Sequence, residues 1–82
     1  MEQDVTLSIH LNEDDTNTVA TTILVLRGER FEATGSARRN PVDPVKPLIG
    51  EELAIARALR TLESQITASA EDKIEQYLVH SD

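Results

Sequence analysis

Cysteine and tryptophan are absent, and phenylalanine and tyrosine occur once each, as Phe31 and Tyr77. Without cysteine there is neither a disulfide framework nor a thiolate metal cluster, the usual staples of small secreted domains, so a reducing cytoplasm is the expected setting. With two aromatics the chain has little from which to build the stacking platforms of single-strand binders, and Phe31 is expected in the core. Long apolar runs are missing as well. The longest aliphatic stretch is Ile23 to Leu26, far below the ~20 residues of a spanning helix. The opening MEQDVTLSIH carries acids where a signal peptide needs basic residues and an apolar run, so no leader and no membrane association are expected.

Basic residues are also scarce: eight Lys and Arg against fifteen Asp and Glu, a net charge of −7 over 82 residues. Their placement is informative. Residues 1–26 hold five acids and no Lys or Arg, and residues 61–82 hold five acids against Lys73. Residues 27–60 carry Arg27, Arg30, Arg38, Arg39, Lys46, Arg57 and Arg60 against five acids, a local +2. Any anion site belongs in that middle segment. A duplex-RNA reader needs a dense line of cations, and five interspersed acids dilute this one, so nucleic-acid affinity is disfavoured for a single copy.

What is present patterns as one α+β domain over residues 1–82. Val5, Leu7, Ile9 and Leu11 alternate with polar residues, which predicts a strand with one buried face. Asn12 to Asn17 is a polar turn. Thr18 to Leu26 is rich in β-branched residues, and Gly28-Glu29 is expected to form a two-residue type II′ hairpin loop, placing Leu26 opposite Phe31 and Ala20 opposite Ala37. Pro41, Pro44 and Pro47 predict an irregular loop over 40–50. Ile55, Leu59, Leu62 and Ile66 recur at helical spacing, widened by Leu53, Ala54 and Ala58, and Ser69-Ala70-Glu71-Asp72 reads as a capping start. The expected order is therefore β-β-β-α-α: a three-stranded antiparallel sheet over 4–39, a long helix over 51–67 and a short one over 70–79. A single helix running through Thr67 and Ser69 is the alternative.

The outer sheet face carries Ile23 and Val25 beside Thr21, Glu32, Thr34 and Ser36, which is more apolar than solvation requires and makes Ile23 and Val25 the candidate dimer face. Arg38 and Arg39 close the third strand beside the proline loop, and Arg57 follows on the helix. These three are the candidate anion or partner contacts, since guanidinium forks and free helix N–H groups both suit anions. The competing structural reading has Arg38 bound to Asp43 or loop carbonyls, and Arg57 reaching a loop carboxylate. No catalytic set stands out. His10 and His80 have no motif-linked serine or carboxylate, and Asn12-Glu13-Asp14-Asp15 lacks the glycine and distal glutamate of a calcium loop. No enzyme activity, cofactor or metal is expected.

The string Gly35-Ser36-Ala37-Arg38-Arg39-Asn40-Pro41-Val42-Asp43, followed by Pro47-Leu48-Ile49-Gly50-Glu51-Glu52-Leu53-Ala54-Ile55-Ala56-Arg57-Ala58-Leu59, resembles a family of small actinobacterial proteins of unknown function. The likeness continues to Leu62 and takes in the Val5 to Glu13 stretch. It implies a fold likened to the double-stranded-RNA-binding domain, a homodimer, and a stress or dormancy role compared with ribosome hibernation-promoting factors, exercised by ribosome or protein contact. The alternative from another class is a nucleic-acid-binding regulator that uses Arg38, Arg39 and Arg57.

Overall fold

The computed structural model describes residues 1–44 and 46–79; His80 and the other terminal residues lie outside them. Three strands, β1 (Leu7–Glu13), β2 (Asn17–Leu26) and β3 (Glu29–Arg38), form an antiparallel sheet in the order β1-β2-β3. One helix, α1 (Pro47–Val79), follows. Its 33 residues give a rod of about 50 Å, and the protein is accordingly long, 61 × 25 × 16 Å.

Each turn has a local cause. Asp14 accepts hydrogen bonds from the Thr16 and Asn17 amides at 2.9 and 2.7 Å, which closes the β1–β2 turn. Those donors hold the Asp14 carboxyl below its ordinary pKa. The β2–β3 hairpin corrects the expected loop. Arg27 and Gly28 form it, with φ of 50° and 81°, the two positive values of a type I′ turn, which suits the twist of flanking strands. Leu26 therefore pairs with Glu29, Leu24 with Phe31, Ala20 with Gly35 and Thr18 with Ala37. A slide of two residues keeps every side chain on its expected face but changes its partner.

The helix lies over β3 and β2, and Gly35 sets its height. A β-carbon at Gly35 would overlap the Ala58 backbone nitrogen and stand 2.5 Å from the Ala54 carbonyl oxygen, so this approach requires glycine. Ala54, Ala58 and Leu62 form the buried line of the helix against Ala20, Ala33 and Ala37. The line is rotated from the expected Ile55–Leu59–Leu62–Ile66 stripe: Ile55, Leu59 and Ile66 are half-buried on its flank, and Leu53 is exposed. Small residues permit the closest backbone approach, and they won the centre.

Two expectations about α1 are corrected. It starts at Pro47 rather than after Gly50: proline suits a first helical position because no N–H is needed there, and the Ile49 amide already donates to the Lys46 carbonyl. Glu51 and Glu52 thus fall beyond the first turn. The described residues also show no break before Ser69. Its hydroxyl does not cap a second helix; it donates to Glu29 Oε2 at 2.9 Å and accepts from Lys73 Nζ, while Thr67 bonds the side chain of Glu63, four residues back. The expected capping group ties the helix to β3.

Candidate functional site

The signature segment converges where the amino end of α1 meets the last residues of β1 and β3. An open cleft of about 920 Å³ lies there, with Glu13, Thr18, Arg38, Arg39, Lys46 and Gly50 among its lining. Arg39, following β3, donates from Nε and Nη2 to the Asp15 carbonyl at 3.2 and 3.1 Å. From Nη1 it donates to the Asp43 carbonyl at 2.8 Å, with longer bonds to the carbonyls of Asn40 and Pro41. Its planar fork thus joins the β1–β2 turn to the proline loop, a span lysine could not bridge. Asn40 Oδ1 accepts from the Val42 amide and shapes the same loop.

Arg57 donates to the Ser36 carbonyl at 2.7 Å, fastening α1 to edge strand β3. It does not reach Asp43. Arg38 makes no side-chain hydrogen bond or ion pair among the described residues, so the loop-bracing role expected of Arg38 belongs to its neighbour. The three candidate arginines therefore separate: Arg39 and Arg57 are occupied by carbonyls, while Arg38 borders the cleft but, alternating with buried Ala37, lies on the sheet face away from α1.

Acids line the cleft as well, among them Glu13, Asp14 and Asp15. Glu51 on α1, outside that lining, lies against Glu13 at the end of β1, and sharing a proton with that carboxylate, together with repulsion when both are ionised, raises the Glu51 pKa above its ordinary value. Glu13 also accepts from Thr18 Oγ1 at 3.2 Å. Sequence reasoning missed this pair, because 38 residues and a chain reversal separate its members and no local signal links them. No group of three or more His, Cys, Asp or Glu suited to a metal ion occurs among the described residues. With Arg39 and Lys46 beside Glu13, Asp14 and Asp15, the cleft favours no single sign of ligand.

Ile23 and Val25 lie on the sheet face away from α1, paired with Glu32 and Arg30. Val25 is exposed and Ile23 half-buried, and an Arg30–Glu32 ion pair of 2.8 Å runs across the same face. The apolar surface expected to be buried lies on the other face. Register pairs Leu7 with Leu24, Ile9 with Thr22 and Leu11 with Ala20, so β1 turns its apolar residues to the helix side. Yet α1 leaves β1 largely uncovered: Leu7 and Ile9 are exposed, and only Leu11 packs against the alanine cluster.

Comparison with known proteins gives one consistent result. The family model described as Rv2632c-like matches residues 3–82. The uncharacterized protein Rv2632c of Mycobacterium tuberculosis and the uncharacterized protein Mb2665c of Mycobacterium bovis are each 38% identical over 69 residues, spanning 84% of this chain and 74% of the relative. The crystal structure of Rv2632c superposes with a TM-score of 0.86 at 34% identity, covering 93% of this chain and 90% of that one.

Proposed function

The chain belongs to the Rv2632c-like family, and we propose that it is a non-catalytic homodimeric module, stress- or dormancy-associated and cytoplasmic, acting through protein or ribosome contact; the surfaces described above support the contact alone, and the stress or dormancy role rests on the family resemblance. One observation carries the contact reading. Among the described residues Leu62 is the only large aliphatic side chain in the buried core, while Leu7, Ile9, Leu53, Val25 and Ile74 are exposed. Fully burying such side chains is worth about 1.5–3 kcal/mol each, so association can still gain from several large aliphatics that the fold leaves exposed.

The rival reading, a nucleic-acid regulator using Arg38, Arg39 and Arg57, loses support from the same geometry, because carbonyls hold two of its three cations and the chain carries −7. The sheet-and-helix build is what supports likening the fold to a double-stranded-RNA-binding domain. No helix of the described residues is long and apolar enough to cross a membrane.

Co-sedimentation with ribosomes from starved and growing cells, alongside filter binding to duplex RNA across a salt series, tests the proposal. Ribosome or protein association that survives Arg38→Glu is expected. Tight duplex-RNA binding that weakens steeply with salt and is abolished by Arg38→Glu would overturn it in favour of the regulator.

A further inference from the structure

The open face of β1 and the far end of α1 are complementary in chemistry and lie at the same end of the molecule. Val5, Leu7 and Ile9 are 46, 39 and 41% exposed. The helix cannot shift to cover them, because Gly35 seats it over β3 and Arg57 ties it to Ser36.

At the other end of the helix, the Glu29 carboxylate ties it to the sheet, accepting from Ser69 and forming an ion pair with Lys73 at 2.8 Å. Glu29 opens β3 beside the hairpin loop, so residues 74–79 run on past the sheet. Ile74, Tyr77 and Leu78, spaced i, i+3 and i+4, share one helix face and are 59, 76 and 64% exposed. Arg27 in the hairpin loop donates to Gln3 at 3.1 Å, which holds the residues leading into β1 at that same end. Seat and ridge are therefore neighbours along the long axis, but not within one copy: α1 lies over β3 and β2, and its far end is tied to Glu29 of β3, two strand spacings or about 10 Å across from β1.

We propose that the helix tail of a second copy, through Ile74, Tyr77 and Leu78, sits on Val5, Leu7 and Ile9, with the exchange made reciprocally about a two-fold axis. This inference rests on the homodimer reading and specifies its surface. It replaces Ile23 and Val25, whose face carries an ion pair along the neighbouring edge strand β3. A two-fold contact needs a self-complementary patch, and a seat and a ridge on each copy supply it. Complete burial of the exposed parts of these six residues on both copies would withdraw on the order of 1,200 Å², the lower end of stable interfaces. Charge does not drive it. Glu2 and Asp4 flank the seat with the cation Arg27 beside them, Glu71, Asp72 and Glu75 flank the ridge, and Lys73 is engaged by Glu29, so both sides are net negative. Like charges meet, so added salt strengthens this contact, opposite to an ionic one.

Sedimentation equilibrium on the intact protein tests it. The parent is expected to dimerise, more tightly in high salt. Ile74→Asp with Tyr77→Asp, and separately Ile9→Lys, should each raise the dissociation constant at least about tenfold with unchanged helix content, whereas Ile23→Lys should leave it unaltered. The chain has no cysteine, so mixing Ile9→Cys and Tyr77→Cys copies under mild oxidation should give a mixed disulfide dimer. A dimer that survives the tail and seat substitutions but is lost with Ile23→Lys overturns this interface and leaves the homodimer reading intact. A parent that stays monomeric throughout overturns both.

Discussion

Replacing Gly35 by alanine tests the packing on which the fold depends. The added β-carbon meets backbone, the Ala58 nitrogen and the Ala54 carbonyl oxygen, so no rotamer change relieves it. The helix has to lift by about 1 Å to reach ordinary van der Waals separation, and a gap of that size forfeits a quarter to a half of each affected dispersion contact. The contacts affected are the alanine core itself: Ala54 and Ala58 against Ala20 and Ala37. Overpacking of a tight site typically costs about 1–3 kcal/mol, and here the upper end applies because strand and helix backbones carry the clash. For a domain of this size, about 3 kcal/mol lowers the melting temperature by roughly 12–24 °C and removes a large part of the total stability. Thermal and urea unfolding followed by circular dichroism measure it. Gly28→Ala is the control: its φ is +81° but nothing lies within 4 Å of an added carbon, so only the backbone penalty, about 1 kcal/mol, should appear. A Gly35→Ala protein within about 0.5 kcal/mol of the parent, or no worse than Gly28→Ala, would refute the close-approach reasoning.

Arg27→Asn should stabilise by up to about 1 kcal/mol, since asparagine accepts the left-handed conformation that arginine adopts there at a cost; an unchanged or lower unfolding midpoint would count against the Arg27-Gly28 loop. Arg39→Ala should cost about 2 kcal/mol through lost charge-assisted bonds to carbonyls, with Arg39→Lys recovering only part in urea unfolding; full recovery would show that charge suffices without the fork. Glu51→Gln should raise the melting temperature at pH 7, because the raised Glu51 pKa means that its ionisation opposes folding as pH rises through that value. The gain should vanish as pH falls into the ordinary carboxyl range. Asp14 and Glu29, with lowered pKa values, act in the opposite sense and lose their contribution as pH falls below that range, so a Glu51→Gln advantage persisting or growing under acid would reverse the assignment.

The strand order and the faces were legible because period-two alternation survives any even shift of register. The loop was not. Glycine at the first loop position suggested type II′, and only the tertiary requirement that Gly35 lie beneath Ala54 and Ala58 selects the pairing of Ala20 with Gly35. An arginine at φ 50° is a choice local propensity disfavours. The helix was read one stripe off for a related reason: hydrophobicity favoured Ile55, Leu59 and Ile66, whereas backbone approach favoured Ala54 and Ala58. Of the candidate site, an arginine bracing the loop was legible, but Arg57 holds the Ser36 carbonyl and not the expected loop carboxylate, and which of two adjacent arginines braces the loop depends on a carbonyl of Asp15, 24 residues away.

The division of labour between small and large residues bears on function. Where glycine and alanine bring a helix onto a sheet, the surrounding leucines and isoleucines are held at the margins, because a helix that sits low over one strand cannot also span a third. Here that leaves the apolar face of β1 open and carries the helix end beyond the sheet. The signature's polar residues follow the same logic: Arg39 closes the loop that delivers α1 to Gly35, and Arg57 fixes it there. Both are needed to hold the helix in the one place that keeps β1 uncovered. A family that retains this glycine and these arginines would retain an exposed apolar seat as a consequence, and the surface available to a partner would then be a product of the fold's own packing rule.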